Sequence, residues 1–209
     1  MPRLDDYGRL APWYDLTAAR VLASVHRRIA ERCAVRGFSA VLDVGCGTGG
    51  LLAVLREKGI RAAGLDASPA MLARAVRNVR RRQTPCLVRG GIPLPFATHS
   101  FDAAVLSLVL HETDEEPEDL LRECLRVAPV GVVLEWRMPE RNLEYPLQPL
   151  VHAIERLAGK RHYARFRHFA RGGYLHGAAM RAGARIVWEE ALAGGTMVLA
   201  EVVFPSSGL

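Results

Sequence analysis

Residues 41–50 read Val-Leu-Asp-Val-Gly-Cys-Gly-Thr-Gly-Gly, an apolar run with one carboxylate that ends in a segment almost bare of side chains. Few folds need that juxtaposition. The run predicts a short buried strand over 40–45, which delivers Asp43 and an exposed backbone to one place. Glycine at 45, 47 and 49 lets the chain turn tightly and come close to a ligand. The next residues, "GGLLAVLREKG", predict a helix ending at Gly59. A strand, a tight glycine turn and a helix form the opening of a βαβ unit.

The alternation continues along the chain. A second strand is predicted over 61–67, then a helix over 68–82 with Ser68 as its cap and Pro69 in the first helical position. Met71, Leu72, Ala75, Val76 and Val79 recur there at helical spacing. Further strands are predicted at 85–90, 101–110 and 130–136. The acidic "HETDEEPEDLLRECLRV" between the last two reads as a loop and a helix with negative charge at its start. "RIVWEEAL" and "TMVLAEVVF", joined through Gly194 and Gly195, predict an antiparallel pair. Repeated strand–helix units imply a mostly parallel sheet covered on both faces, with one antiparallel strand at the edge.

With 209 residues, 50% of them hydrophobic, the chain can bury the core of one α/β domain. No apolar run reaches the length of a membrane span, and "MPRLDDYGRL" has charge where a signal peptide would be apolar. The expectation is a soluble, cytoplasmic protein. Cysteines at 33, 46, 86 and 124 show no metal-type spacing and read as reduced, buried thiols. The net charge of +6 is almost all arginine, Lys58 and Lys160 being the only lysines, so it says little about partners.

The second strand ends in Asp66, suited to accepting hydrogen bonds from the two hydroxyls of a ribose. "GCGTGG" also fits the dinucleotide fingerprint. Asp43 argues against that reading, since a carboxylate would repel a pyrophosphate. The pair of acids instead suits a nucleoside carrying positive charge.

On these residues the chain resembles the class I S-adenosylmethionine-dependent methyltransferases. "VLDVGCGTGG" is similar to their first motif and "GLDASPAML" to their second. "GGIPLPFATHSFDAAVLSLVLHE" resembles their third- and fourth-strand motifs, and "YGRLAPWYD" the N-terminal segment of small-molecule members. The resemblance implies an α/β, three-layer Rossmann-like fold with a seven-stranded, mostly parallel sheet and one antiparallel edge strand. It implies a single methyltransferase domain over 1–209, with an N-terminal helical cap at 1–37 and a helical insertion at 136–171 over the active site.

Carried over, the resemblance implies S-adenosyl-L-methionine as cofactor and S-adenosyl-L-homocysteine as product. Asp43 helps order the methionine end, while Gly45, Cys46, Gly47 and Gly49 lie against the cofactor. Asp66 binds the ribose hydroxyls, and Ala67 and Met71 flank the adenine, with Gly91 and Ile92 in the adenine segment. Ser107 and Leu108 pass beneath the methionine moiety. His111 lies toward the substrate, and Tyr14 closes the pocket. One departure stands out: the family's acidic residue in the adenine segment is replaced by Gly90, with Ile92 at a position often held by glutamate.

Methyl transfer from a sulfonium is an in-line displacement that demands alignment more than acid–base help. His111 and Tyr14 are the candidate catalytic residues, each with a plainer alternative as a loop or lid residue. "GKRHYARFRHFAR" interleaves basic and aromatic residues, as an RNA surface or a membrane-lying helix does, or as a solvated cap over the pocket does. His162, His168 and His176 lack the spacing of a zinc helix, so no metal is expected. Three functions follow: a methyltransferase of a small-molecule acceptor, an RNA methyltransferase, or a binding module without catalysis. "LSLVLHE" lacks the Asn/Asp-Pro-Pro-Tyr pattern of base-amine methylation. The first is therefore preferred, nucleic acid is disfavoured, and peripheral membrane contact and oligomeric state stay open.

Overall fold

The computed structural model describes residues 19–79, 86–137 and 148–205. Seven strands form one sheet in the order β3-β2-β1-β4-β5-β7-β6. The chain divides into two compact units. One runs through Pro95 and takes in Phe101–Ala103; the other is Phe96–Ser100 with the chain from Ala104 onward.

The first unit holds α1 (Ala19–Val35), β1 (Ala40–Val44), α2 (Gly50–Glu57), β2 (Arg61–Asp66), α3 (Pro69–Val79) and β3 (Cys86–Arg89). β1 and β2 pair in parallel with Asp43 opposite Gly64, and β2 and β3 in parallel with Asp66 opposite Arg89. Val41, Leu42, Leu51, Leu52, Leu55 and Leu65 are buried and fill this half of the core. Gly64 sits where strand and helix approach closely. A Cβ there would lie 2.8 Å from Cys46 Sγ and from Leu52 Cδ1, and 2.9 Å from Leu87 Cδ2. The predicted cap of α3 is present, with Ser68 Oγ accepting from the Met71 amide at 3.2 Å. The lead into β1 is fastened by Asp102. Its Oδ2 accepts from the Ser39 amide at 2.7 Å, the Ser39 hydroxyl at 2.8 Å and the Ala40 amide at 2.9 Å.

β4 (Ala103–Ser107) leads into the second unit, which holds α4 (Pro117–Val127), β5 (Val130–Trp136), α5 (Gln148–Leu157), α6 (Lys160–Arg171), α7 (Tyr174–Ala182), β6 (Arg185–Leu192) and β7 (Met197–Val203). Every residue of β5 is buried, as a continuous apolar run requires. α4 starts with Pro117 in its first turn followed by Glu118 and Asp119, where the helix dipole favours acids. β7 runs antiparallel to both β5 and β6, so the expected antiparallel pairing closes the sheet, with β6 outermost. The two strands join through a short turn in which Gly194 and Gly195 have φ of 65° and 87°.

Two local expectations are corrected. β4 stops at Ser107 rather than running to 110, because Leu108 turns into the left-handed region at φ 59° and gives its amide to Leu134 O at 2.9 Å. In the 136–171 insertion the sequence spaces Leu147, Leu150, Val151, Ile154 and Leu157 as one apolar helix face, yet Leu157 is 81% exposed, whereas Glu155 is buried. Leu147 lies outside the described residues.

Candidate functional site

The glycine loop follows β1 within the first unit. Gly45, Gly47 and Gly49 have φ of 72°, 51° and 81°, values that disfavour side chains. The amides of Gly45 and Cys46 both donate to Leu65 O, at 2.7 and 3.0 Å, tying the loop to the end of β2. Asp66 then fixes it from the other side. Its Oδ2 accepts from the Gly47 amide at 2.8 Å and its Oδ1 from the Ser68 amide at 2.8 Å. A carboxylate has about four lone-pair sites, more than these two bonds use.

Asp43 is 2% exposed, and its Oδ2 has no hydrogen-bond partner among the described residues. Burial, and secondarily the Asp66 charge, push its carboxyl up to about 8. A buried acid oxygen without a donor is costly, and a cationic ligand beside it would remove that cost. This is the feature that fits the residues to a sulfonium amino-acid nucleoside. Burial and then the two aspartates drive the Cys46 thiol pKa upward, which disfavours its thiolate.

The segment expected to face the adenine reaches the same strand ends. The Gly90 amide donates to Asp66 O at 3.2 Å, and Gly91 has no atom within 4 Å of a Cβ position. Thus Asp43, Gly45, Cys46, Gly47, Asp66 and the segment bearing Gly91 and Ile92 meet at the carboxyl ends of β1 and β2. Gly49 caps α2 and Met71 lies in the first turn of α3, which opens just after Ala67. Tyr14 lies outside the described residues.

Ser107 and Leu108 close β4 in the second unit, three residues before a buried polar cluster. His111, 2% exposed, bonds through Nδ1 to Glu135 Oε2 at 2.7 Å, while Glu135 Oε1 accepts from the Leu110 amide at 2.7 Å. The other ring nitrogen of His111 lies 3.7 Å from Glu155 Oε2. His162 Nε2 hydrogen-bonds that same oxygen, and the Trp136 indole donates to Glu155 Oε1 at 2.8 Å. Burial opposes charge on His111, but Glu135, then Glu112 and Glu155, outweigh it and raise its pKa to about 9. Burial would raise Glu155, yet the bond from His162 and the charge of His111 hold it below its usual value.

Glu135, Glu155 and Trp136 are the site residues that sequence reasoning missed. Glu135 left one signal, a lone carboxylate in an otherwise apolar strand. Glu155 left none. The basic–aromatic tract resolves into α6, which buries His162, Phe166 and Phe169 on one face. On the other, Arg161 pairs with Asp114 at 2.7 Å, Arg165 also meets Asp114, and His168 reaches Glu116 at 3.1 Å.

The family model described as a methyltransferase domain matches residues 42–134. The chain is 32% identical to human methyltransferase-like protein 27 over 74% of its own length and 65% of that protein's. It is 36% identical to the demethylmenaquinone methyltransferase of Renibacterium salmoninarum over 62% of its length and 56% of that protein's. The chain therefore spans less than two thirds of these curated relatives. Magnesium protoporphyrin IX methyltransferase from Synechocystis, solved with bound S-adenosylhomocysteine, shares the fold with a TM-score of 0.63 and 17% identity, over 88% of this chain and 83% of that one. Residues 42–134 thus match a methyltransferase domain, and the strand order and these relatives liken the chain to the class I S-adenosylmethionine-dependent methyltransferases.

Proposed function

We propose that this protein transfers a methyl group from S-adenosylmethionine to a small-molecule acceptor. The observation that carries the reading is the buried Asp43 oxygen, without a hydrogen-bond partner among the described residues, beside an Asp66-anchored glycine loop. Asp66 would accept from the ribose hydroxyls, Asp43 would offset the positive methionine end, and Gly45, Gly47 and Gly49 would let the backbone lie against the ligand. The bound cofactor supplies an already activated methyl. The chain's residues then need only orient the acceptor in line and exclude water.

His111 and its acidic partners lie in the second unit. With Nδ1 engaged by Glu135 and the ring almost fully buried, His111 acts in this reading as a positioning residue rather than as the atom that takes a proton. The 136–171 segment, which includes α5 and α6, is the specificity element of the proposal. Relatives named for demethylmenaquinone and malonyl-[acyl-carrier protein] methylation support acceptors with quinone-type or carboxylate oxygen and carbon centres. The burial of Phe166 and Phe169, with Arg161 and Arg165 paired to Asp114, speaks against an RNA surface on α6. Among the described residues no helix is long and apolar enough to cross a membrane.

Calorimetric titration with S-adenosylmethionine tests the reading, followed by transfer of labelled methyl to a panel of phenols, quinols, carboxylates, amines and total RNA. Saturable heat and label in a small acceptor are expected. Label in RNA would replace the acceptor class, and no heat at millimolar cofactor would reduce the chain to a fold without the activity.

A further inference from the structure

We infer that the second unit holds a divalent-cation site of the zinc class, formed by His111, Glu155 and His162. These residues come from the loop after β4, from α5 and from α6, and one ligand atom of each lies within 4.8 Å of the other two. Their donors are two imidazole nitrogens and one carboxylate oxygen, the set that zinc and its first-row neighbours favour. All are buried, at 2%, 4% and 9% exposure, where an uncompensated acid would be expensive.

The surroundings turn each donor toward the common point. Glu135 accepts from His111 Nδ1 at 2.7 Å, which leaves Nε2 as the ligating nitrogen. This carboxylate–histidine pairing is the usual outer shell of a metal-bound imidazole. The Trp136 indole occupies Glu155 Oε1 at 2.8 Å, so Oε2 is the oxygen directed at both histidines. His111 and His162 meet edge to face at 5.8 Å, and Phe166 and Phe169 stand 6.0 and 6.4 Å from the His111 ring. The aromatic side of the wall is therefore apolar, which strengthens electrostatic interactions beside it, while Glu112 Oε1 stands 3.7 Å from His111 Nε2 on the more open side.

Charge balance points the same way. Glu135 and Glu155 bring two buried negative charges, and one dication with two neutral imidazoles cancels them. Two protonated histidines would cancel them as well, and the test separates these alternatives. Three protein donors leave one position of a tetrahedral ion for water or a ligand oxygen, as in open rather than closed zinc sites. Sequence spacing does not reveal this site, because its three donors come from separate elements that meet only in the fold. The inference stands apart from the cofactor reading, since metal binding is measured without S-adenosylmethionine.

The experiment uses the full chain with any affinity tag removed. Metal content of the purified protein is measured by mass spectrometry. Zinc is then titrated against a chromophoric chelator, and cobalt is substituted to read its ligand-field absorption. One equivalent of zinc per chain and intense visible cobalt bands are expected. H162Q should abolish both, and E135Q should weaken zinc binding by about 10–100-fold while keeping the stoichiometry. Substoichiometric zinc with no cobalt bands in the wild type overturns the site in favour of a proton-bridged network, whatever the variants do. Undiminished zinc affinity in H162Q overturns it equally.

Discussion

The Gly47 amide donates to Asp66 Oδ2 at 2.8 Å, so the loop that closes β1 is held by the acid that ends β2. One carboxylate thus shapes the loop and, in the proposed function, also offers acceptors to a ribose. Asp66→Ala removes both, together with the bond from the Ser68 amide. The variant should bind S-adenosylmethionine at least about tenfold more weakly, a difference of roughly 1.4 kcal/mol. Its stability should fall by about 1–2 kcal/mol for the two lost hydrogen bonds. Calorimetry and thermal melting measure the two effects separately, and unchanged cofactor affinity in a folded variant would count against the proposed function.

Gly90 occupies the position where family members carry an acid for the adenine amino group, and the structure leaves space for one. A Cβ at Gly90 would meet Leu65 Cδ1 at 3.5 Å and Pro95 at 3.9 Å, ordinary contacts, and the residue's φ is not positive. Gly90→Asp should therefore fold normally and tighten S-adenosylmethionine several-fold, the equivalent of about one hydrogen bond of 1 kcal/mol. S-adenosylhomocysteine, which carries the same adenine, should tighten by the same factor. Improvement for one ligand alone would show that the aspartate acts elsewhere.

His26 on α1 gives the first unit a dependence on pH. Burial lowers its pKa from 6.5 to about 4. Between those values the unfolded chain binds the extra proton and the folded chain does not, so stability rises with pH across this window and is fully present above about 6.5. The contribution is on the order of 2 kcal/mol after allowance for partial exposure. His26→Gln should flatten the urea-unfolding free energy between pH 4.5 and 6.5, relative to wild type (both pH values roughly bracketing the window). A parallel slope in the two proteins would remove His26 as its source.

How far the sequence could be read follows from how local each feature is. β5 and β6 match the predicted 130–136 and 185–192 because a buried apolar run or a glycine-bounded strand is specified by its own residues. The glycine loop and Asp66 were legible for the same reason, since motif and spacing lie within 26 residues of one another, from Val41 to Asp66. β4 is shorter than its apolar run because Leu108 turns to φ 59° and gives its amide to Leu134 O, a partner supplied by β5. The cluster around His111 was hidden more deeply. Glu135 is 24 residues away from it, and Glu155 and His162 join it only when α5 and α6 pack. Glu155 sits at a position of α5 that amphipathic reasoning assigns to solvent, while Leu157, which that reasoning would bury, is exposed.

Two glycines in the second unit separate steric from conformational cost. Gly177 lies inside α7, and a Cβ there would stand 1.7 Å from the backbone oxygen of Gly172. No side-chain rotation can relieve a clash with main chain, so Gly177→Ala must displace the Gly172–Gly173 turn. It should cost at least about 3 kcal/mol, at the top of the range for overpacking. Gly183 caps the same helix at φ 73°, and no atom lies within 4 Å of its Cβ position. Gly183→Ala meets only the left-handed penalty of about 1–2 kcal/mol. Thermal melts should therefore rank wild type above Gly183→Ala above Gly177→Ala. Alanine at 177 tolerated as well as at 183 would mean that the tight turn before α7 is not built as described.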